Sequence, residues 1–170
     1  GPRWARRSGG ARSRSPTTRR KATRADGTWH AKARLRLDAA PIASLSRWWP
    51  EGIGTGERAW ILENITAGTA RNGRWEVEAE AGADLSGFRV TSLAGTLDVA
   101  DATVHWLRPV PPVEQAQGQV SFSLEEVTVR VAGARQAGTQ VQARDSTLRI
   151  FITPGGSATT EMQIALAGPV

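Results

Sequence analysis

The sequence contains no cysteine, which excludes disulfides and thiolate metal sites. It has no apolar run approaching the 18 or so residues that a membrane-spanning helix needs. The first 24 residues hold no acid and almost nothing apolar, so they lack the apolar h-region of a signal peptide. The chain does not begin with methionine, as expected of a piece of a longer protein; a leader or anchor upstream would then go unseen. No nucleophile elbow, Walker motif, dinucleotide fingerprint or zinc motif occurs. Histidine occurs only at His30 and His105, each inside a strand pattern and without His, Cys or paired carboxylates at ligand spacing.

The formal net charge of +6 is unevenly spread. Residues 1–24 carry nine Arg and Lys, and the rest carries thirteen basic and sixteen acidic groups. The basicity therefore belongs to a tail, "GPRWARRSGGARSRSPTTRRKATRADG", whose composition predicts disorder over residues 1–27. A solvated linker is the expectation. Nonspecific attraction to nucleic acid or anionic lipid heads is the alternative. Trp4 is the one aromatic there, so the interleaved rings that stack bases are missing.

Beyond the tail the chain is rich in alternating segments. "TWHAKARLRLDAAP" puts Trp29, Ala31, Ala33, Leu35 and Leu37 on one face, and His30, Lys32, Arg34, Arg36 and Asp38 on the other, a half-buried strand. "PIASLSRWW" fits a short helix with Ile42, Leu45 and Trp49 at helical spacing, stopped by Pro50. "EGIGTG" connects it to a second short helix, Gly56 to Ile65, where Trp60, Ile61 and Ile65 line one side. Asn64 or Gly68 is expected to supply a left-handed end. The tryptophans of this pair are expected to pack on or cap a sheet, with Arg58 hydrogen-bonding to carbonyls of the connection.

From Gly68 onward short strand patterns recur every ten or so residues: 74–81, 85–90, 95–99, 102–106, 118–124, 127–131, 138–143, 146–151 and 161–167. Their connections are too short for parallel crossovers, so antiparallel meandering is expected. Three stretches, "LAGTLDVADATVHW", "AQGQVSFSLEEVTVRVAG" and "GTQVQARDSTLRIF", share a loose strand–break–strand rhythm. Pro109, Pro111 and Pro112 make "WLRPVPPVEQAQG" a stiff connection with Leu107 and Val110 expected inward. "WEVEAEA" sets Glu76, Glu78 and Glu80 on one face, as a solvated strand does, and no carboxylate stands out as catalytic.

The fold class expected is mainly β: a curved antiparallel sheet or groove of short strands with a small pair of helices at about 41–66, all within one unit over 28–170. Trp48–Trp49–Pro50, Arg58 with Trp60, Asn64–Ile65, Gly68, then Leu107 through Pro111–Pro112 to Gly118, occur in an order that resembles a known family. It is the AsmA-like envelope protein family, in its central DUF3971-type region as in YhdP-like proteins. Trp48 stands where that family often has Tyr, and Arg108–Pro109–Val110 departs from its "L-P-P" pattern.

The resemblance implies a β-sheet bridge across the periplasm, anchored in the inner membrane by regions outside this chain. Such a bridge has an apolar groove that moves phospholipid towards the outer membrane and so supports its barrier. It implies the remainder of a larger envelope protein as partner, no cofactor and no catalysis. The groove-lining candidates are Trp75, Val77, Val104, Trp106, Phe122, Leu124, Val127, Val129, Val131, Leu148 and Ile150. A structural or partner-docking envelope module, with its groove plugged by its own side chains, is the alternative. A nucleic-acid binder working through the tail ranks third, because the body is mildly acidic.

Overall fold

The computed structural model describes residues 17–25, 27–47, 49, 55–153 and 158–169. Eight strands follow one another: β1 (Thr17–Ala25), β2 (Thr28–Pro41), β3 (Ile65–Ala81), β4 (Arg89–Val104), β5 (Val113–Ser123), β6 (Glu126–Gln136), β7 (Gln142–Ile152) and β8 (Ala158–Ala167). Each is antiparallel to the next, and their order in space is their order in the chain. The result is a single unclosed, curved sheet, mainly β as the short connections dictate.

Two short helices interrupt the meander between β2 and β3. A 3-10 helix spans Ile42–Arg47, and α1 spans Thr55–Asn64. Pro41 ends the ladder of β2, and its carbonyl accepts the Ser44 hydroxyl at 2.7 Å, which starts the turn. Leu37, Ala40, Ile42, Leu45, Ala70 and Ala102 form the one sizeable buried cluster among the described residues, against which Trp49, Ile61, Leu62, Ile65 and Val104 pack. The helices thus cover one end of the sheet. Gly68 (φ +127°) lies in this cluster, where a Cβ would meet the backbone of Ala102 at 2.9 Å.

Several strands are broken by a residue in the left-handed region: Asn72 in β3, Asp101 in β4, Gln115 in β5 and Asp145 in β7, with φ between 46° and 53°. Each coincides with a register shift in its ladder. The bulges add curvature and twist. They also change the phase of the alternation: in β4, Leu97 and Val99 share the core with Ala102 and Val104, an even-numbered pair after an odd-numbered one.

Side chains hold these bulges. Asn72 Nδ2 donates to Asp98 Oδ2 at 2.8 Å. At Asp145 the buried Ser146 hydroxyl donates to the Arg144 carbonyl and accepts the Ala165 backbone N–H, both at 3.1 Å. It replaces a ladder partner that the bulge removes.

Several expectations change. Thr17–Ala25, assigned by composition to a disordered tail, forms β1, the fully exposed edge strand paired with β2; residues 1–16 lie outside the described residues. The strands are not short. Segments 95–99 and 102–104 belong to the 16-residue β4, which ends before His105 and Trp106, and 74–81 is the end of the 17-residue β3. Residues 85–88 are loop before β4. The predicted strand 138–143 is mostly a turn, with Gly138 at φ +71° and the Thr139 N–H donating to Gln136 O at 3.2 Å.

No left-handed residue ends α1. Asn64 instead donates from Nδ2 to Trp60 O at 2.9 Å, and the chain enters β3 directly. Leu107, expected inward, is 53% exposed.

Candidate functional site

The face of β2 that carries Leu35 and Leu37 continues across the sheet in register. One row runs Leu35, Trp75, Gly95, Phe122, Val127, Ile150 from β2 to β7. A second runs Leu97, Val120, Val129, Leu148, Met162 from β4 to β8. A third joins Val99, Gly118, Val131 and Ser146. Towards the other ends of β2 to β4, Ala33 pairs with Val77 and Leu93, and Ala31 with Ala79 and Val90.

Trp75 and Phe122 reach across Gly95, with ring centroids 6.4 Å apart and planes tilted by 57°. Two aromatics on flanking strands fill the space that a glycine leaves. A Cβ at Gly95 would collide with the Trp75 Cβ and the Phe122 ring.

Most of this face has no second layer among the described residues. The fully buried large side chain is Leu37, under the helices. Away from them Val77, Leu93, Phe122, Val127, Val129, Leu148 and Ile150 are only half-buried, shielded by their neighbours and not by a covering element. At β8 the apolar side chains Met162, Ile164 and Leu166 are half-exposed or more. A sheet face normally buries itself against another layer, and a contiguous exposed apolar surface usually marks something that covers it.

Of the groove candidates, Trp75, Val77, Phe122, Val127, Val129, Val131, Leu148 and Ile150 therefore lie on one face. Three do not join its open part. Val104 packs against the helix-covered core at the end of β4; Trp75 and Leu97 also touch that core and mark where the open part of the face begins. Leu124 sits in the connection after β5, and Trp106 lies beyond the end of β4, 45% exposed. Alternation also marks Leu35, Leu93, Leu97, Val120 and Met162, which belong to the same rows. The signal was present in "ARLRL" for Leu35, "SLAGTL" for Leu93 and Leu97, "GQVSF" for Val120 and "EMQIALA" for Met162.

The opposite face is charged and self-paired. Lys32 Nζ lies 2.7 Å from Glu78 Oε1 and 3.3 Å from Glu76 Oε2, and Arg34 Nε donates to Glu76 Oε1 at 2.6 Å. His30 Nδ1 and Arg89 Nη2 both approach Glu80, at 3.3 and 2.6 Å. Arg149 Nε meets Glu126 at 2.9 Å. The Arg34 and Lys32 hydrogen bonds hold the Glu76 carboxyl below its ordinary range, and Arg149 with Thr128 does the same for Glu126. Glu78 and Glu76 raise Lys32. Salt screens these exposed pairs, so they do little to hold the sheet together. Among the described residues no cluster of acids and histidines is placed to hold a metal ion.

His105 follows β4, and its Nε2 lies 3.4 Å from the Thr66 hydroxyl.

The motif residues divide. Trp48 and Pro50 lie outside the described residues. Trp49 packs on the core, and its N–H donates to Leu45 O at 2.9 Å. Arg58 donates to Trp49 O at 3.2 Å and Ser46 O at 3.3 Å, carbonyls of the first helical piece and its end and not of the connection that was expected to accept them. Trp60, expected to pack on the sheet, is instead 45% exposed; Ile61 and Leu62 face the core in its place. Pro112 accepts the Ala137 N–H at 2.9 Å, Pro111 is exposed, and Arg108–Pro109 is cis. Gly118 sits where a side chain would run into the Arg130 carbonyl. Comparison of the chain with protein-family models, with curated proteins and with solved structures finds no match.

Proposed function

We infer that this chain is a phospholipid-holding segment of a larger periplasmic bridge, its open apolar face carrying acyl chains along the sheet. One observation carries this reading: the rows through Phe122 and Leu148 span the sheet without a covering layer among the described residues. An acyl chain supplies such a layer. Each CH₂ leaving water contributes roughly 0.8 kcal/mol, and no directional partner is required.

Small residues favour the same occupant. Ala31 and Ala33 leave low ground beside Leu35 and Val77, room for a flexible chain to lie close to the backbone. The ordered motifs that resemble AsmA-like envelope proteins point to the same class, and with it to a place between two membranes. The polar face, closed by its own ion pairs, remains towards water.

Protein purified without added lipid is expected to carry phospholipid detectable by mass spectrometry of its organic extract. After delipidation it should take up labelled phospholipid. A lipid-free extract together with no uptake would leave the face to a protein partner and sink the reading.

A further inference from the structure

The two borders of the apolar face differ in chemistry. β1 is one edge of the sheet, with the sequence TTRRKATRA: four cations, no acid, every residue exposed. Its pairing with β2 sorts these cations by face. Arg19 and Lys21 stand opposite Arg34 and Lys32, on the charged side. Arg20 and Arg24 stand opposite Ala33 and Trp29, on the apolar side, with Thr18 and Ala22 opposite Leu35 and Ala31. The Arg24 guanidinium lies over the Trp29 ring, 5.8 Å from its centroid, in keeping with that side.

The opposite edge, β8, has no such guard. Met162 stands opposite Leu148 on the same face, and Ile164 and Leu166 follow at the same alternation, 50% and 67% exposed. Charges pointing towards the apolar side of an edge strand are a common device against edge pairing. That device would be needed at β8 as much as at β1, and either sign of charge would serve. Here it is present at one border only, and there it is guanidinium alone.

An apolar field bordered on one side by guanidinium groups matches an amphiphile with an anionic head. We propose that Arg20 and Arg24 each bind the phosphate of a net-anionic glycerophospholipid whose acyl chains lie across β2 to β4. This rests on the lipid reading above and adds the orientation of the lipid and the class of its headgroup.

Arginine suits both halves of such a ligand. Its planar fork takes a phosphate with two parallel hydrogen bonds, while its aliphatic stem lies along apolar surface. The contact with the Trp29 ring restricts Arg24 while leaving its in-plane N–H donors free of the ring face. The two residues are four apart in a strand, about 13 Å, so each serves its own phosphate and not a shared one. Headgroups that carry an ammonium, such as choline, meet repulsion from the neighbouring cations; a glycerol headgroup does not.

The two faces of β1 supply the control. Binding of labelled phosphatidylglycerol and phosphatidylcholine to the delipidated full chain is compared for the wild type, for Arg20→Ser with Arg24→Ser, and for Arg19→Ser with Lys21→Ser. The two double variants lose the same charge from the same strand. The wild type is expected to prefer phosphatidylglycerol by about tenfold or more, the scale of one charge-assisted hydrogen bond.

The Arg20/Arg24 pair should lose that preference while still taking up phosphatidylcholine; the Arg19/Lys21 pair should keep it. Arg20→Gln with Arg24→Gln, which retains much of the stem, should behave as the serine pair does and guards against a folding defect. Equal loss in both double variants, or no headgroup preference in the wild type, would overturn the proposal and leave the acyl-chain reading standing. Failure of the wild type to bind either lipid would overturn both.

Discussion

Leu37→Ala is expected to lower stability by about 2–5 kcal/mol, the range for emptying a well-packed aliphatic site. Leu37 is 2% exposed and is the largest side chain to be fully buried among the described residues. It packs between β3 and the 3-10 helix, in the cluster with Ala40, Ile42, Leu45, Ala70 and Ala102. Three of its five buried partners there are alanines, which have no side-chain freedom to fill the space. Because this cluster joins the helices to the sheet, the loss should appear locally as well as globally. Urea unfolding will give the shift in midpoint, and hydrogen exchange should show α1 losing protection before β5 to β7. Leu148→Ala, on the open face and half-buried, should cost clearly less. Equal costs at the two positions would mean that the open face is covered in solution by something the sheet itself supplies.

Gly118→Ala is the second large effect. Gly118 pairs with Val99 on one side and Val131 on the other, in the middle of the sheet. A Cβ there would overlap the carbonyl oxygen of Arg130 and come within 3.1 Å of the Val131 Cα. Both obstacles are backbone, so no rotamer change relieves them and β5 and β6 must separate. The expected cost is about 1–3 kcal/mol, the range for overpacking.

Gly133→Ala, in the next strand, is the matched control. Its nearest neighbour would be the Gln117 side chain at 3.4 Å, an ordinary contact from a flexible group. Alanine should be tolerated there, or even stabilise by removing some of the freedom of glycine in the unfolded chain. If thermal midpoints of the two variants fell equally, the close approach at Gly118 would not be the reason for its glycine.

The sequence was legible where alternation ran without interruption. β2 occupies 28–41, the span over which apolar and charged residues alternate in "TWHAKARLRLDAAP". The helix pair was legible through Pro41 and the spacing of Ile42 and Leu45, both buried.

It became illegible at the bulges. A residue such as Asp101 or Asp145 in the left-handed region moves the apolar residues to the other parity, so one long strand reads as two short ones with a break between them. Asp and Asn are the residues that tolerate this conformation best. "VADAT", "ARDST" and "ARNG" therefore carried the signal, though they read as turns.

β1 was hidden for another reason. Its residues have no apolar alternation, because an edge strand with two wet sides needs none. The cue was the Asp26–Gly27 dipeptide, a strong two-residue hairpin signal, just ahead of an evident strand. Gly27 takes φ +76°, and Ala25 pairs with Thr28 across it.

On the candidate surface, strand parity placed Val127, Val129, Leu148 and Ile150 together, because β6 and β7 alternate cleanly there. Val104 lies against the helix-covered core and Trp106 beyond the end of β4; parity says which side a residue takes, and not whether a helix covers it or the strand has already ended. The three tryptophans of the helical segment showed the same limit. Aromatic spacing marked the segment, yet only Trp49 is seen against the core, while Trp60 lies outward.

The asymmetry between the faces gives the account its most direct test. A phospholipid with a photoreactive group in its acyl chain is bound to the full chain, irradiated, and the labelled residues are mapped by mass spectrometry. Labels are expected on Val77, Phe122, Val129 and Leu148, which share the open face, and not on Glu78, Arg130 or Arg149 of the same sheet. Labelling divided evenly between the two faces, or confined to the charged one, would contradict the assignment of the apolar face to acyl chains.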